Sequence, residues 1–195
     1  MNWVSHRAFI LQPINFIMKT IILIIGLLSA VSLNAERIPN PAIDYDEFLQ
    51  LTVRLQPIRE KHRVTEADFI KMASEENTII LDARSKIRYD RIHVKGAISM
   101  PFTEFTAERL AKVVPDKTTR ILIYCNNNFD NEPANLARKS RVVSLNVPTF
   151  INLHAYGYTH VYELGPLLDV NTTEIPFTRA TVEKTEELLQ SPKID

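Results

Sequence analysis

The feature that most constrains the fold is a run of four β-favouring apolar residues, Ile121–Tyr124, that stops abruptly at Cys125. A short continuous apolar run bounded by polar residues reads as a buried strand. A second such run, Thr78–Leu81, ends at Asp82. Ahead of it, His62-Arg63-Val64 reads as a short edge strand. Thr65 with Asp68 three residues on is a helix N-terminus signal, and Phe69, Ile70, Met72 and Ala73 supply the apolar face that follows. Strand, short helix, strand, short helix, strand, loop, helix predicts an α/β fold, a central mostly parallel sheet flanked by helices. Ligands of such sheets bind beyond the carboxyl ends of the strands. Asp82 and Cys125 both occupy such ends and are expected on one edge.

Cys125 is the only cysteine in the chain. That excludes an internal disulfide and any CxxC metal or redox pair. The five histidines form no H-x-x-x-H pair, so neither a metal site nor a cofactor is expected. Lys+Arg and Asp+Glu are both 23, so no net field draws nucleic acid or an anionic membrane. With 195 residues, 45% hydrophobic, there is material for one domain with a real core. After Cys125 come Asn126, Asn127, Asn128, Phe129 and Asp130, then Glu132-Pro133 and a helix-like segment. Backbone N–H groups in the turn and the N-terminus of that helix would favour a thiolate, the reactive form of cysteine, so a depressed thiol pKa is expected. The competing reading is a small buried core residue.

The N-terminus reads as a targeting segment, residues 1–35. Lys19 precedes the apolar run Thr20–Leu33, and Ala35 offers a small residue at a cleavage site before Glu36. Met18 lies just ahead, so residues 1–17 also read as an upstream start-codon extension. An uncleaved anchor from Ala8 to Leu33 is the alternative, interrupted by Gln12, Pro13, Asn15 and Lys19. Cleavage predicts a periplasmic or secreted protein that meets membrane only through this segment. Residues 36–63 are expected to hold a linker and a helix from Asp44 to Leu55, ending near Pro57, although Leu49, Leu51, Val53 and Leu55 also alternate like a strand. The main domain is expected over 64–177, with an inserted helix around 134–147, and a helix or tail over 178–195.

Residues 81–101 read L-D-A-R-S-K-I-R-Y-D-R-I-H-V-K-G-A-I-S-M-P. Here the chain resembles the rhodanese (sulfurtransferase) family. Asp82, Arg84, Tyr89, His93, Gly96, Ala97 and Pro101 fall in order on its pattern, and Cys125 follows the next strand as the family's active cysteine does. The Y-C-N-N-N-F loop is similar to that of an exported subgroup of single-domain members. The resemblance spans roughly residues 64–168. It implies a rhodanese-like fold and a cysteine that attacks a sulfane sulfur donor, becomes a persulfide, and passes the sulfur to a thiophilic acceptor. It also implies that Asp82 and Arg84 brace loops and that His93 is structural.

The departures are specific. Active members carry Arg or Lys and a Gly in the loop, whereas residues 126–130 contain none. Asn can supply the left-handed conformation of the missing glycine, and its amide can donate to a sulfur anion, but it carries no charge. Arg138 and Arg141, three apart, either supply the missing cation or belong to a solvated surface helix. Asn131 stands where related phosphatases need Arg, which counts against that activity. The chain is thus expected to be a sulfurtransferase or persulfide carrier acting on a small sulfur compound and a thiol acceptor, a protein among the candidates. The alternative is an inactive binding module of the same fold that recognises a partner protein. A thiol oxidoreductase lacks its resolving cysteine.

Overall fold

The computed structural model describes Ile38 and residues 40–180. The chain divides into two compact units, 1–44 and 45–195. The expected targeting segment and C-terminal helix lie outside the described residues. No described helix is long and apolar enough to cross a membrane.

The second unit opens with helix α1 (Tyr45–Lys61), followed by strand β1 (Arg63–Val64), α2 (Glu66–Ala73) and β2 (Thr78–Asp82). Then come α3 (Lys86–Arg91), β3 (Ile92–Val94), β4 (Ile98–Ser99), α4 (Ala107–Val113) and β5 (Arg120–Tyr124). Strand β6 (Phe129–Asp130), helix α5 (Asn146–Ala155), β7 (Val161–Leu164), β8 (Leu168–Asp169) and β9 (Phe177–Arg179) follow among the described residues. The central sheet has the order β1-β7-β5-β2-β4, every pair parallel. This is the α/β architecture expected from the sequence.

Alternation along β5 builds both layers of the core. Ile121 and Ile123 face one side, with Leu55 of α1, Leu110 of α4, and Phe150 and Leu153 of α5. Leu122 and Tyr124 face the other, with Phe69 of α2, Ile92, Val94 and Leu164. Full burial of such side chains contributes about 1.5–3 kcal/mol each. Asp82 is level with Tyr124 in the β2–β5 register, so the next residue of the β5 chain, Cys125, emerges just past the sheet edge beside Asp82.

Helix α2 starts as the sequence predicts. Thr65 Oγ1 accepts the Asp68 N–H at 3.1 Å and donates to the Asp68 carboxylate at 2.7 Å. Gly165, just after β7, passes so close to β1 that a Cβ there would meet the Val64 carbonyl oxygen at 3.1 Å.

Three expectations are corrected. Helix α1 continues through Pro57 to Lys61 instead of ending near it. Its apolar face, with Leu55 buried against α5, outweighs the one backbone bond that proline removes. The helix expected around 134–147 is absent up to Leu145. Residues 133–140 form a turn and extended chain, followed by a 3₁₀ turn at Arg141–Val143. The backbone carbonyls of Ala137 and Lys139 and the Lys139 N–H bond to asparagine side chains of the loop after Cys125 and not along a helix. Residues 177–179, at the expected start of the tail, form β9, paired antiparallel with β3. A three-residue strand is too short for periodicity to reveal.

Candidate active site

Cys125 follows β5 and is 2% exposed. It caps a single 3₁₀ turn, Asn126–Asn128, whose backbone remains right-handed. Among the described non-glycine residues, positive φ occurs only at Asn77 and Asn131. The three loop asparagines therefore do not stand in for a left-handed glycine.

Their side chains are committed to holding the loop. Asn128 Oδ1 accepts the Cys125 N–H at 2.9 Å, and its Nδ2 donates to the Leu164 carbonyl at 2.6 Å. Asn126 Oδ1 accepts from Arg84 Nη1 at 3.3 Å, and its Nδ2 donates to the Ala137 carbonyl at 3.0 Å. Asn127 Nδ2 donates to the Lys139 carbonyl at 2.8 Å, and Asn127 Oδ1 accepts the Lys139 N–H at 2.9 Å. Each amide spends a donor on a backbone carbonyl, and the donors that face the sulfur are backbone N–H groups. The N–H groups of Asn146, Asn127 and Leu145 are the ones that favour its thiolate.

Beneath the loop lies a buried network. Arg84 (3% exposed) forks onto Asp82 (0% exposed), with Nη2 donating to Oδ2 at 2.6 Å and Nε to Oδ1 at 2.9 Å. Arg84 Nη2 also donates to the Ile92 carbonyl at 2.6 Å. The Tyr124 hydroxyl donates to Asp82 Oδ2 and accepts the Val94 N–H. Burial, reinforced by the Asp82 charge, pushes the Tyr124 phenol well above its ordinary range, so it stays a donor. Burial alone would lower the Arg84 pKa. The hydrogen bond and charge of Asp82 outweigh it and hold the guanidinium above its ordinary value. Asp82 and Arg84 thus brace the loop, and Arg84 reaches it through Asn126.

The expected depression of the Cys125 pKa is overturned. Burial pushes the thiol up, the Glu163 charge adds to the rise, and the backbone N–H groups offset only part of it. The helix meant to supply a dipole near Pro133 does not form, and a three-residue turn has too few aligned peptides to replace it.

Cys125 lines two cavities. The larger, 530 Å³, is walled by Arg84, Arg88, Arg138, Lys139, Asn126 and Phe102, among others, and no carboxylate lines it. Arg88 Nη1 donates to the Ala134 carbonyl at 2.6 Å, and Arg138 lies 3.7 Å from Asp130 Oδ1. Arg138 and Arg141 do not share a helical face. Arg138 borders the larger cavity and Arg141 the smaller. His93 is elsewhere, stacked on Tyr89 at 3.8 Å with Nδ1 2.7 Å from the Tyr89 carbonyl oxygen. Phe129 and Asp130 do not line either cavity. They form β6, pairing with Leu168 and Asp169, and the Phe129 ring packs edge-on against Tyr124 and Phe177. No group of three or more His, Cys, Asp or Glu able to hold a metal ion occurs among the described residues.

Reading the sequence missed Arg88, Lys139, Asn146 and Glu163. Glu163 left a signal: it is the one charged residue in the strand Val161–Leu164. The others left none, because their approach to Cys125 depends on the path of residues 133–145.

The chain matches the Rhodanese-like domain over residues 65–165, just over half its length. It belongs to the rhodanese-like domain family. Thiosulfate sulfurtransferase PspE of Escherichia coli (strain K12) is 33% identical over 90 residues, 46% of this chain and 71% of that protein. The adenylyltransferase and sulfurtransferase uba4 of Sclerotinia sclerotiorum is 22% identical over 74 residues, 38% of this chain and 16% of that one. Among solved structures, a rhodanese with anions from E. coli is 29% identical, covering 53% of this chain and 99% of its own, with TM-score 0.36. The rhodanese-like domain of an Anabaena protein is 20% identical, covering 69% and 87%, with TM-score 0.44. Homology to sulfurtransferases supports a role in sulfur transfer for this rhodanese-like chain.

Proposed function

We propose that this rhodanese-like protein is a sulfurtransferase or persulfide carrier with Cys125 as the nucleophile and a small anionic sulfane sulfur compound as donor. The observation that carries the reading is the 530 Å³ cavity over Cys125, bordered by Arg84, Arg88, Arg138 and Lys139 and by no acid. Opposite charge in a partly enclosed cleft concentrates an anion there. The cation missing from the loop is supplied by the segment 137–139, which Asn126 and Asn127 tie down, together with Arg88 from α3.

In the first step the Cys125 thiolate bonds to the outer sulfur of the donor. The donor's sulfur–sulfur bond breaks, and the leaving anion takes the electron pair. In the second, a thiophilic acceptor bonds to that outer sulfur and Cys125 departs as thiolate. Asp82 and Arg84 hold the loop and do not touch the reacting atoms. Export of the protein is part of the proposal and rests on the sequence of residues 19–35.

Purified protein mixed with thiosulfate should gain one sulfur atom in mass at Cys125 and form thiocyanate with cyanide. Cys125→Ser should do neither. An unchanged mass would leave the second reading, an inactive module that binds a partner protein. What favours that reading is the burial of Cys125 and its raised pKa.

A further inference from the structure

The larger cavity over Cys125 is roomier and less polar than an inorganic donor needs. Its 530 Å³ lies within the range of about 300–1,000 Å³ usual for organic ligands, and an ion the size of thiosulfate would leave most of it empty. Besides the cations, its walls include Phe102, Val143 and Leu145. Phe102 and Leu145 are partly buried and pack against the core layer that holds Ile121 and Phe150. Val143 belongs to neither core layer and is 63% exposed. A solitary exposed valine needs no explanation. This one shares a cavity with the nucleophile and with two further apolar side chains.

The apolar residues stand on hydrogen-bonded backbone. The Val143 N–H closes the 3₁₀ turn on the Ser140 carbonyl at 3.2 Å. Leu145 is the residue just ahead of α5, and its carbonyl accepts the Thr149 N–H at 3.1 Å. The Phe102 N–H donates to the Ala83 carbonyl at 2.9 Å, and its ring lies 5.4 Å from that of Phe105. The cations are anchored as well, Lys139 through Asn127 and Arg88 through the Ala134 carbonyl. Both kinds of wall are therefore preformed. Guanidinium and ammonium donors suit an oxyanion, and the apolar residues suit carbon. A ligand that fills the cavity joins an anionic head to an apolar arm and offers a sulfur to Cys125.

We propose that the larger cavity takes an organic thiosulfonate as sulfur donor, its sulfonyl oxygens on Arg88, Arg138 and Lys139 and its carbon arm on Phe102, Val143 and Leu145. This rests on the sulfur-transfer reading above and adds the class of donor. The Cys125 thiolate forms a bond to the terminal sulfur of the thiosulfonate. The sulfur–sulfur bond of the donor breaks, and the organic sulfinate leaves with the electron pair. The products are the Cys125 persulfide and a sulfinate, with no external oxidant or reductant. Packing the arm takes apolar surface of both donor and Val143 out of water, which thiosulfate cannot do.

Loading of Cys125 from methanethiosulfonate and from butanethiosulfonate, followed by intact mass at low donor concentration, tests this. The two donors differ only in the arm. Each rate is divided by that of the same donor with free N-acetylcysteine, which removes intrinsic reactivity. Butanethiosulfonate should load faster by about tenfold or more, the scale expected when several methylenes leave water. Val143→Ser, at an exposed position, should cut that ratio by about threefold or more. Val142→Ser changes a neighbour that is still more exposed and does not line the cavity, and should leave the ratio as it is. Lys139→Gln should slow both donors and keep the ratio. Equal loading from the two donors, or a ratio that survives Val143→Ser, would overturn the arm subsite and leave the sulfur-transfer reading standing. Failure of the parent protein to load from either thiosulfonate or from thiosulfate would overturn both.

Discussion

Asn127 and Lys139 are joined by a reciprocal pair of hydrogen bonds, side-chain amide to backbone on both sides, at 2.8 and 2.9 Å. The pairing imitates a rung of a sheet and fixes the basic segment 137–139 against the loop that carries the nucleophile. Net values for such bonds are about 0.5–1.5 kcal/mol each. Asn127→Ala should therefore cost about 1–3 kcal/mol in denaturant unfolding. It should also raise the donor concentration needed for half-maximal loading, because Lys139 and Arg138 lose their anchor. An unchanged donor dependence would mean that the cations of the larger cavity do not act on the substrate.

The Cys125 thiol should titrate above its ordinary value. Burial dominates the shift and the Glu163 charge adds to it. Alkylation of Cys125 should consequently be slow at neutral pH and rise with pH through the elevated pKa. Glu163→Gln should move the midpoint down by removing the repelling charge. The sign for stability follows by linkage. Between the ordinary and the raised pKa, the unfolded chain has lost the proton that the folded chain keeps, so this group's contribution falls as pH rises through that interval. A midpoint below the free-thiol value, measured by alkylation rate against pH, would contradict this.

Asp82→Asn should be far more damaging than a surface change. It leaves the Arg84 guanidinium buried without its counter-charge and leaves one oxygen to serve donors that two carboxylate oxygens now accept. Breaking one side of a buried pair typically costs about 3–5 kcal/mol. The same measurement on Lys112→Ala, which removes an exposed pair with Glu108, should show no more than about 1 kcal/mol. Comparable losses in the two variants would refute a bracing role for Asp82.

Exported protein should begin at or near Glu36, given Lys19, the uncharged run Thr20–Leu33 and Ala35. Intact mass of the extracytoplasmic fraction checks it. A mass that includes residues 20–33 would indicate retention of the apolar segment.

What the sequence determined alone was whatever short-range pattern encodes. The apolar runs at 78–81 and 121–124 specify buried strands, and Thr65 with Asp68 specifies a helix start. The position of Asp82 and Cys125 at strand ends then puts them on one edge of any parallel sheet built from those strands. The direction of the Cys125 pKa shift, the loss of the helix after Pro133 and the two cavities were decided by tertiary structure. Each depends on burial and on which distant groups meet. The asparagines looked like donors for a sulfur anion because nothing local shows that the carbonyls of Ala137, Lys139 and Leu164 arrive to claim them. Residues 133–145 carry usable helical propensity, a matter of tenths of a kilocalorie per residue, which tertiary hydrogen bonds to the loop readily exceed. Glu163 marked itself as a charge in an apolar strand, but only folding brought Arg59, Arg141 and Cys125 around it.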